Sequence, residues 1–494
     1  MIDFFRYFYN YTILCYKIYD YINYYNINKI HSDSKLDIII QKINSCGSVA
    51  IKFCQWVVPK LELMYLEEDD IINENKPSWL SKLELFFENC EEHSIDYTNS
   101  EYYKTFGKNI NDDYEILDII GSGSIGQVYL LQDKPYSKYI DKEKYVMKII
   151  HPNTKKDIKY FRYFYNFINL IPCIQKYINE NFPFDIYSFI NQFNEQSNFI
   201  NESNNLLAFQ KKYENNDFII IPTLIKTSES IMIMTYEDGI SFDDLKDINT
   251  YHKYKLALLF CSFVRNNQQI LNFNHGDLHK GNWKIKLSED NNHKIIIYDF
   301  GFCWETPKYK TNKDILNQSV EMFENCDTET ETIDFNIVVN VLKHVLKYDI
   351  SDSDIIDEKI NNFLKKNIHL IKPWSVNPVN FFKILITLCK EENLLIDPIL
   401  VQALIILVQC QKIFVEYRMV SGEKDKDIIN SYEVHRTKYL DWLSYYKTNN
   451  IFKEFTNLIN DLLNKKQVKV ENLFDTLNIP TDFSIKFKEL ALQK

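Results

Sequence analysis

NHGDLHKGNWKI, residues 274–285, and IIIYDFGF, residues 295–302, say most about how this chain folds. The first sets Asp277 and Asn282 five residues apart, in a loop between a helical pattern and a strand pattern that carries more polar groups than a turn needs. Phosphoryl transfer calls for such a pair: a carboxylate to orient or deprotonate the nucleophile, and a neutral oxygen to hold Mg2+ close by. Seventeen residues after Asn282, Asp299 ends an apolar strand and is followed by Phe300 and Gly301. A carboxylate there suits Mg2+, since hard cations prefer oxygen ligands. His275 and His279 flank Asp277 and can be read as zinc ligands, but the loop has no cysteine and no third histidine nearby. Hydrogen bonding that braces the loop is the better reading of His275.

Working outward, GSGSIGQVY (121–129) lies between the apolar runs DYEILDII and LLQ. It reads either as a hairpin tip, where glycine supplies unusual backbone angles, or as a loop laid so close over phosphates that β-carbons would collide with them. Lys148 sits in the strand-like YVMKIIHP, 25 residues after Gly123. A lysine in an apolar strand needs a negative partner or exposure. Glu202, in the helical FINESNNLLAF that follows, is the candidate partner. Each of these features alone also reads as a solvated charge or a turn. The order glycine loop, Lys148, Glu202, HGDLHKGN, DFG is the kinase-like order of parts, and it favours the nucleotide reading of Gly121, Ser122, Gly123, Ser124, Ile125, Gly126 and Val128.

The bulk numbers are compatible with that reading. At 494 residues, 45% hydrophobic and 15% aromatic, the chain can bury two or three cores. A net charge of -11 and a pI near 5.5 argue against a surface that tracks nucleic acid. Ten cysteines are scattered without C-x-x-C spacing, which fits an intracellular, reducing compartment, with no disulfide framework and no zinc expected. No stretch reaches the ~20 apolar residues of a membrane-spanning helix. PILVQALIILVQCQKIFVEY (398–417), broken by Gln402, Gln409 and Gln411, reads as a buried helix. The aromatic run FFRYFYNYTILCYKIYDYINYY has two readings, an interfacial helix giving peripheral association with a lipid or membrane surface, or a helix packed on the domain behind it. The sequence names no protein partner.

The pattern along the chain predicts helices to about residue 105, with polar breaks at INENKPS (72–78) and SIDYTNS (94–100). Strands follow from 114 in an antiparallel sheet, then helices near 154–181 and 185–212, then strand character in FIIIPTLIKT and SIMIMTYEDG. From 241 the chain is mostly helical apart from two strands within 283–300. The expectation is an α+β, two-lobed protein-kinase-like fold. Residues 1–110 form a helical extension, 111–238 a small antiparallel-sheet N-lobe, and 239–494 a large helical C-lobe with the catalytic loop and C-terminal helices.

With these motifs in hand the sequence resembles the AarF/UbiB/ADCK family of atypical kinases over roughly residues 45–305. The distinguishing mark is CGSVAIKFCQWVVPKLEL (46–63), which looks like that family's K-x-G-Q segment, with Lys52 and Gln55 in the defining places. The resemblance implies ATP and Mg2+ as cofactors, Lys148 and Glu202 as the ion pair, Asp277 as the catalytic acid, and Asn282 and Asp299 as metal ligands. It also implies a hinge at Met234–Asp238, with Met234 and Tyr236 facing the adenine. Helices folded over the active site imply an ATPase or small-molecule kinase more than a protein kinase, with a link to isoprenoid-quinone or other lipid metabolism.

This chain departs from the pattern in several places. Cys54 stands for the motif's glycine, which puts close packing of that helix in question, and Gln196 and Asn198 stand for an acidic pair, so that Glu195 would have to serve Lys52 instead. Thr235 occupies a usually acidic hinge position, Gly276 replaces an arginine used in activation-loop regulation, and no A-P-E anchor occurs within 302–335. Two other functions fit parts of the sequence: a soluble phosphotransferase of the aminoglycoside or choline kinase type, and a nucleotide- or lipid-binding pseudokinase scaffold.

Overall fold

The computed structural model describes residues 2–65, 90–134, 143–245, 272–305, 335–367 and 378–398, save 29, 215, 217 and 290–292, together with isolated positions such as Trp79, Leu83, Val401 and Gln402. The chain separates into two compact units. One comprises Met1–Leu207, Pro222–Tyr236 and Phe382–Pro398, the other Ala208–Ile221, Glu237–Phe381 and Ile399–Lys494. The expected break at 72–78 and most of the run 398–417 lie outside the described residues.

The first unit opens with helices α1 (Ile2–Asn28), α2 (Asp33–Cys46) and α3 (Ser48–Tyr65). Ser32 caps α2 by accepting from the Lys35 amide, and Gly47, at φ 85°, takes the left-handed backbone that lets the chain turn into α3. The stretch 94–100 corrects the reading of a polar break. Ser94 is the N-cap of α4 (Ile95–Phe106), accepting from the Tyr97 amide at 3.3 Å, and Gly107 closes that helix in the αL conformation. A short α5 (Ile110–Asp113) leads into the sheet.

Five strands form that sheet in the order β1-β2-β3-β6-β5, every pair antiparallel: β1 (Tyr114–Ser122), β2 (Gly126–Asp133), β3 (Lys144–Ile150), and, after the helices and a short β4 (Ile219–Ile220), β5 (Leu224–Thr227) and β6 (Ile231–Thr235). Alternation sorts the side chains between two faces. Tyr129, Leu131, Met147, Ile149, Ile231 and Ile233 make one core with Tyr102 of α4 and Ile110. Val128 lies directly across from Lys148, and Met232 across from it on the other side.

Each of the two expected helical stretches is broken once. α6 (Thr154–Asn169) gives way to α7 (Pro172–Asn181), where Pro172 opens the helix because it has no amide to leave unpaired. α8 (Ile186–Gln196) is followed by α9 (Phe199–Tyr213). The aromatic inner face of α1 packs on α6, with Tyr7 5.3 Å from Tyr160 and Tyr11 5.2 Å from Phe164 between ring centroids. Phe5, Tyr9 and Tyr16 on the same helix remain exposed. No helix among the described residues is long and apolar enough to cross a membrane.

In the second unit, β8 (Trp283–Lys286) and β9 (Lys294–Ile297) pair antiparallel, and β4 joins β9 in parallel. FIIIPTLIKT is thus not one strand: Pro222 cannot donate to a ladder, and the residues before and after it serve different sheets. A two-residue β7 (Asn274–His275) pairs with β10 (Cys303–Trp304), and α10 (Phe335–Val345) packs against α11 (Ser353–Lys366).

Leu131 is fully buried in the sheet's core. Leu131→Ala should lower unfolding free energy by about 2–5 kcal/mol, read by denaturant titration. A loss under about 1 kcal/mol would mean that this face of the sheet is not the packed core described above.

Candidate active site

Lys148 projects from β3 and Glu202 from the first turn of α9, and the two side chains form an ion pair, 13% and 3% exposed. Each charge is tolerable at that depth because the other neutralises it. The helix N-terminus adds partial positive charge near the carboxylate. Across the β2–β3 ladder Val128 opposes Lys148, and Met234 of β6 is buried opposite Val146. Tyr236 donates its amide to the Lys144 carbonyl at 3.0 Å, which holds the chain beyond β6 to the sheet.

The glycine loop joins β1 to β2. None of Gly121, Gly123 and Gly126 has a φ between +20° and +160°, so the hairpin-tip explanation for glycine does not apply to them. A β-carbon on Gly126 would lie 2.4 Å from the Ile149 carbonyl oxygen, so close strand approach dictates that glycine. One on Gly121 would meet nothing within 4 Å, and one on Gly123 only the Gly126 carbonyl at 3.7 Å. Neither backbone angle nor packing requires glycine at those two positions.

Several segments hold the loop. Ser124 Oγ donates to Gln55 Oε1 of α3 at 3.0 Å. The Cys90 amide donates to the Ser122 carbonyl at 3.1 Å, and the His151 amide to that of Ile125 at 2.9 Å. Gln55 thus meets the loop, while Lys52 of the same helix lies near the Cys90 thiol, opposing the burial that pushes this thiol up to about 11. Glu195, the expected substitute acid for Lys52, is exposed, and Gln196 is buried. Cys54 does not keep α3 from packing: the Phe53 and Trp56 rings lie edge-on and tilted against Phe189, 5.1 and 5.2 Å between centroids, and burial pushes the Cys54 thiol up to about 12.

In the second unit the β7–β10 and β8–β9 ladders bracket two loops, one carrying Asp277 and Asn282 and the other Asp299. Asn282 donates Nδ2 to the Asp277 backbone carbonyl at 2.7 Å, which turns its Oδ1 away and leaves that oxygen as a hard donor. Asp299 takes a left-handed φ of 56°, a conformation that acidic and amide side chains tolerate better than most. Its Oδ1 accepts from the Gly301 amide at 3.3 Å.

His275 links the two loops. Its Nδ1 accepts from the Asp277 amide at 3.2 Å and its Nε2 donates to the Tyr298 carbonyl at 2.9 Å, roles that require a neutral ring. Burial holds its pKa below the ordinary histidine range, opposed by the Tyr298 carbonyl and then by the Asp299 and Asp277 carboxylates. Both carboxylates therefore lie close enough to act on one imidazole. His279 Nε2 stands 3.9 Å from Asp277. Among the described residues no three His, Cys, Asp or Glu gather as a metal cluster.

Sequence reasoning missed two features here. Gln402, an interruption in the apolar run, donates to the Gly276 carbonyl at 2.6 Å. A β-carbon on Gly276 would lie 2.6 Å from the Phe302 ring, so the position read as a lost arginine is filled by an aromatic neighbour. No local pattern signals either one.

The model of the ABC1 atypical kinase-like domain matches residues 87–330. A probable serine/threonine-protein kinase, abkC, of Dictyostelium discoideum is 27% identical over 265 residues, covering 52% of this chain and 36% of its own length. The chloroplastic protein ACTIVITY OF BC1 COMPLEX KINASE 3 of Arabidopsis thaliana is 26% identical over 200 residues, 38% of this chain and 26% of that protein. The matches therefore span about a third or less of these relatives. A Mycobacterium tuberculosis protein solved in complex with erythromycin is 14% identical, covering 69% of this chain and 89% of that one at a TM-score of 0.37.

Gly126 and Gly121 differ in what a side chain would meet, and substitution should tell them apart. Gly126→Ala should destabilise the protein by about 1–3 kcal/mol through the Ile149 carbonyl, whereas Gly121→Ala should stay within about 0.5 kcal/mol of the parent. Thermal unfolding of both variants checks this, and equal losses would refute it.

Proposed function

Because this chain belongs to the AarF/UbiB/ADCK family of atypical kinases, we propose that it binds ATP with Mg2+ and transfers or hydrolyses the terminal phosphate. The observation that carries this reading is the Lys148–Glu202 pair, a buried carboxylate holding a half-buried ammonium. A lysine held at one height in a sheet by a glutamate that can reach it only from a neighbouring helix suits an ammonium kept ready for the α- and β-phosphates.

The remaining residues take roles that their geometry supports. The open faces of Gly121 and Gly123 leave room for a polyphosphate, and Met234 and Tyr236 would flank the base. Asn282 Oδ1 and the Asp299 carboxylate would hold Mg2+, which would supply positive charge against the phosphates. Asp277 would orient the attacking oxygen and take its proton. His275 keeps the Asp277 backbone and the strand end before Asp299 at one spacing. The family's association with isoprenoid-quinone lipids makes a lipid the acceptor, or the activating surface, in this reading.

Turnover of ATP by the full chain, with and without Mg2+ and with and without lipid vesicles, tests it. Asp277→Asn leaves the loop's backbone hydrogen bonds in place and should cost roughly 10²-fold or more in rate while nucleotide still binds. Gly121→Ala should weaken binding without loss of stability. A wild type that neither binds nor consumes ATP with Mg2+ would overturn the proposal. Acceleration by a soluble alcohol but not by vesicles would redirect it to a small-molecule phosphotransferase.

A further inference from the structure

Beside the glycine loop lies a cluster of side chains to which the kinase reading assigns no role. His93 Nδ1 is 2.8 Å from His151 Nδ1, and His93 Nε2 is 3.0 Å from Thr98 Oγ1. Thr98 Oγ1 is 2.7 Å from the Tyr129 hydroxyl, which is 2.8 Å from Gln127 Nε2. At one end His151 Nε2 is 2.9 Å from the Gly123 carbonyl oxygen, and at the other the His93 amide nitrogen is 2.9 Å from Gln127 Oε1. Thr98, Gln127 and Tyr129 are all buried.

Backbone groups fix both ends of this chain. A carbonyl only accepts, so His151 Nε2 carries a hydrogen. A backbone amide only donates, so Gln127 turns its oxygen to His93 and its NH2 to Tyr129. With both rings neutral, one sense remains. Gln127 donates to Tyr129, Tyr129 to Thr98, Thr98 to His93 Nε2, His93 Nδ1–H to His151 Nδ1, and His151 Nε2–H to the Gly123 carbonyl.

A proton added to either ring reverses the middle of the chain. His93 must then donate to Thr98, Thr98 turns its hydroxyl to Tyr129, and the buried Tyr129 hydroxyl hydrogen is left without an acceptor in the chain. We propose that His151 is a positioning residue for the glycine loop: by holding the Gly123 carbonyl through this one-way chain it fixes the Gly123–Ser124 peptide plane. In a planar trans peptide the carbonyl and the following N–H point in opposite directions, so the same bond aims the Ser124 amide at the face away from His151. What that amide meets rests on the nucleotide reading above; the chain itself rests on the protein's own atoms.

The titration of the pair agrees with this geometry. Burial lowers the pKa of both rings, His93 down to about 4 with His151 as the second cause, while for His151 the Gly123 carbonyl opposes the shift. The titratable groups around the pair are Tyr97 and Glu101 of α4, Tyr129 of β2, and Glu91 and Glu92 ahead of α4. Because folding lowers both values, the unfolded chain takes up protons first as pH drops below the ordinary imidazole value of about 6.5. This contribution to stability is therefore complete above that pH and is lost as pH falls toward about 4, the folded value of His93.

Two measurements on the full chain test the proposal. Without nucleotide at about pH 7.5, nitrogen-15 imidazole shifts should report His151 as the Nε2–H tautomer and His93 as the Nδ1–H tautomer. Amide exchange across residues 121–126 should quicken about ten-fold or more in both His93→Phe and His151→Ala. With ATP and Mg2+, His151→Ala should raise KM about three- to ten-fold with kcat within about two-fold. It should also flatten the rise in KM expected of the wild type as pH falls toward about 4, where the folded pair takes up a proton. His151→Gln, which keeps a side-chain donor, should recover most of the affinity yet stay flat with pH. Other tautomers or unchanged exchange would overturn the chain, and an unchanged KM with the wild-type pH profile would overturn the positioning role. A wild type that binds no nucleotide would sink the nucleotide reading instead, and tautomers and exchange would still decide this one.

Discussion

A lysine and a glutamate sealed together against an apolar sheet are the constraint around which the first unit is arranged. With Glu202 3% exposed and Lys148 13% exposed, removing either charge alone takes from the other its opposite in this pair, a loss on the order of 3–5 kcal/mol. The pair therefore fixes both the height of β3 and the first turn of α9. Once β3 is placed, its ladder with β2 sets Val128 across from Lys148 and brings Gly126 so near Ile149 that no side chain fits there. The position of the glycine loop follows from the position of one charge.

The loop itself is held by a small number of directed bonds. Gln55 reaches Ser124 from α3, the Cys90 amide reaches the Ser122 carbonyl, and His151 takes the Ile125 carbonyl with its amide and that of Gly123 with its ring. Two of the three glycines have no local reason to be glycine, and yet the loop around them is tied on several sides. That combination, an open surface on a fixed backbone, is the preorganisation that the proposed nucleotide binding calls for.

The second unit solves a related problem with one neutral imidazole. His275 joins the Asp277 amide to the Tyr298 carbonyl, so the loop with Asp277 and Asn282 and the turn with Asp299 cannot shift independently. Two acidic residues beside a buried ring would ordinarily favour its protonation. Burial outweighs them, and the ring keeps both a donor and an acceptor. Asp299 in left-handed backbone shows that the turn is held by its surroundings more than by its own preference.

Much of this architecture could be read along the chain. Short β-rich runs bounded by turn residues marked β2, β3 and β6, and the motifs carrying Lys148, Glu202, Asp277, Asn282 and Asp299 were read on the strand, helix and loops where those residues are found. Such signals come from residues within a few positions of one another. Other features escaped because their partners are distant. Ser94 begins a helix where polarity suggested a break. Ile219 and Leu224 belong to different sheets. Gln402 bonds to Gly276 across 126 positions, and His93 to His151 across 58. The order of the chemical groups and the type of element bearing each are written in the chain, because periodicity and spacing are local. Which hydrogen bonds aim them is settled in three dimensions, since a donor's partner is chosen by chain closure and by the need to satisfy every buried polar atom.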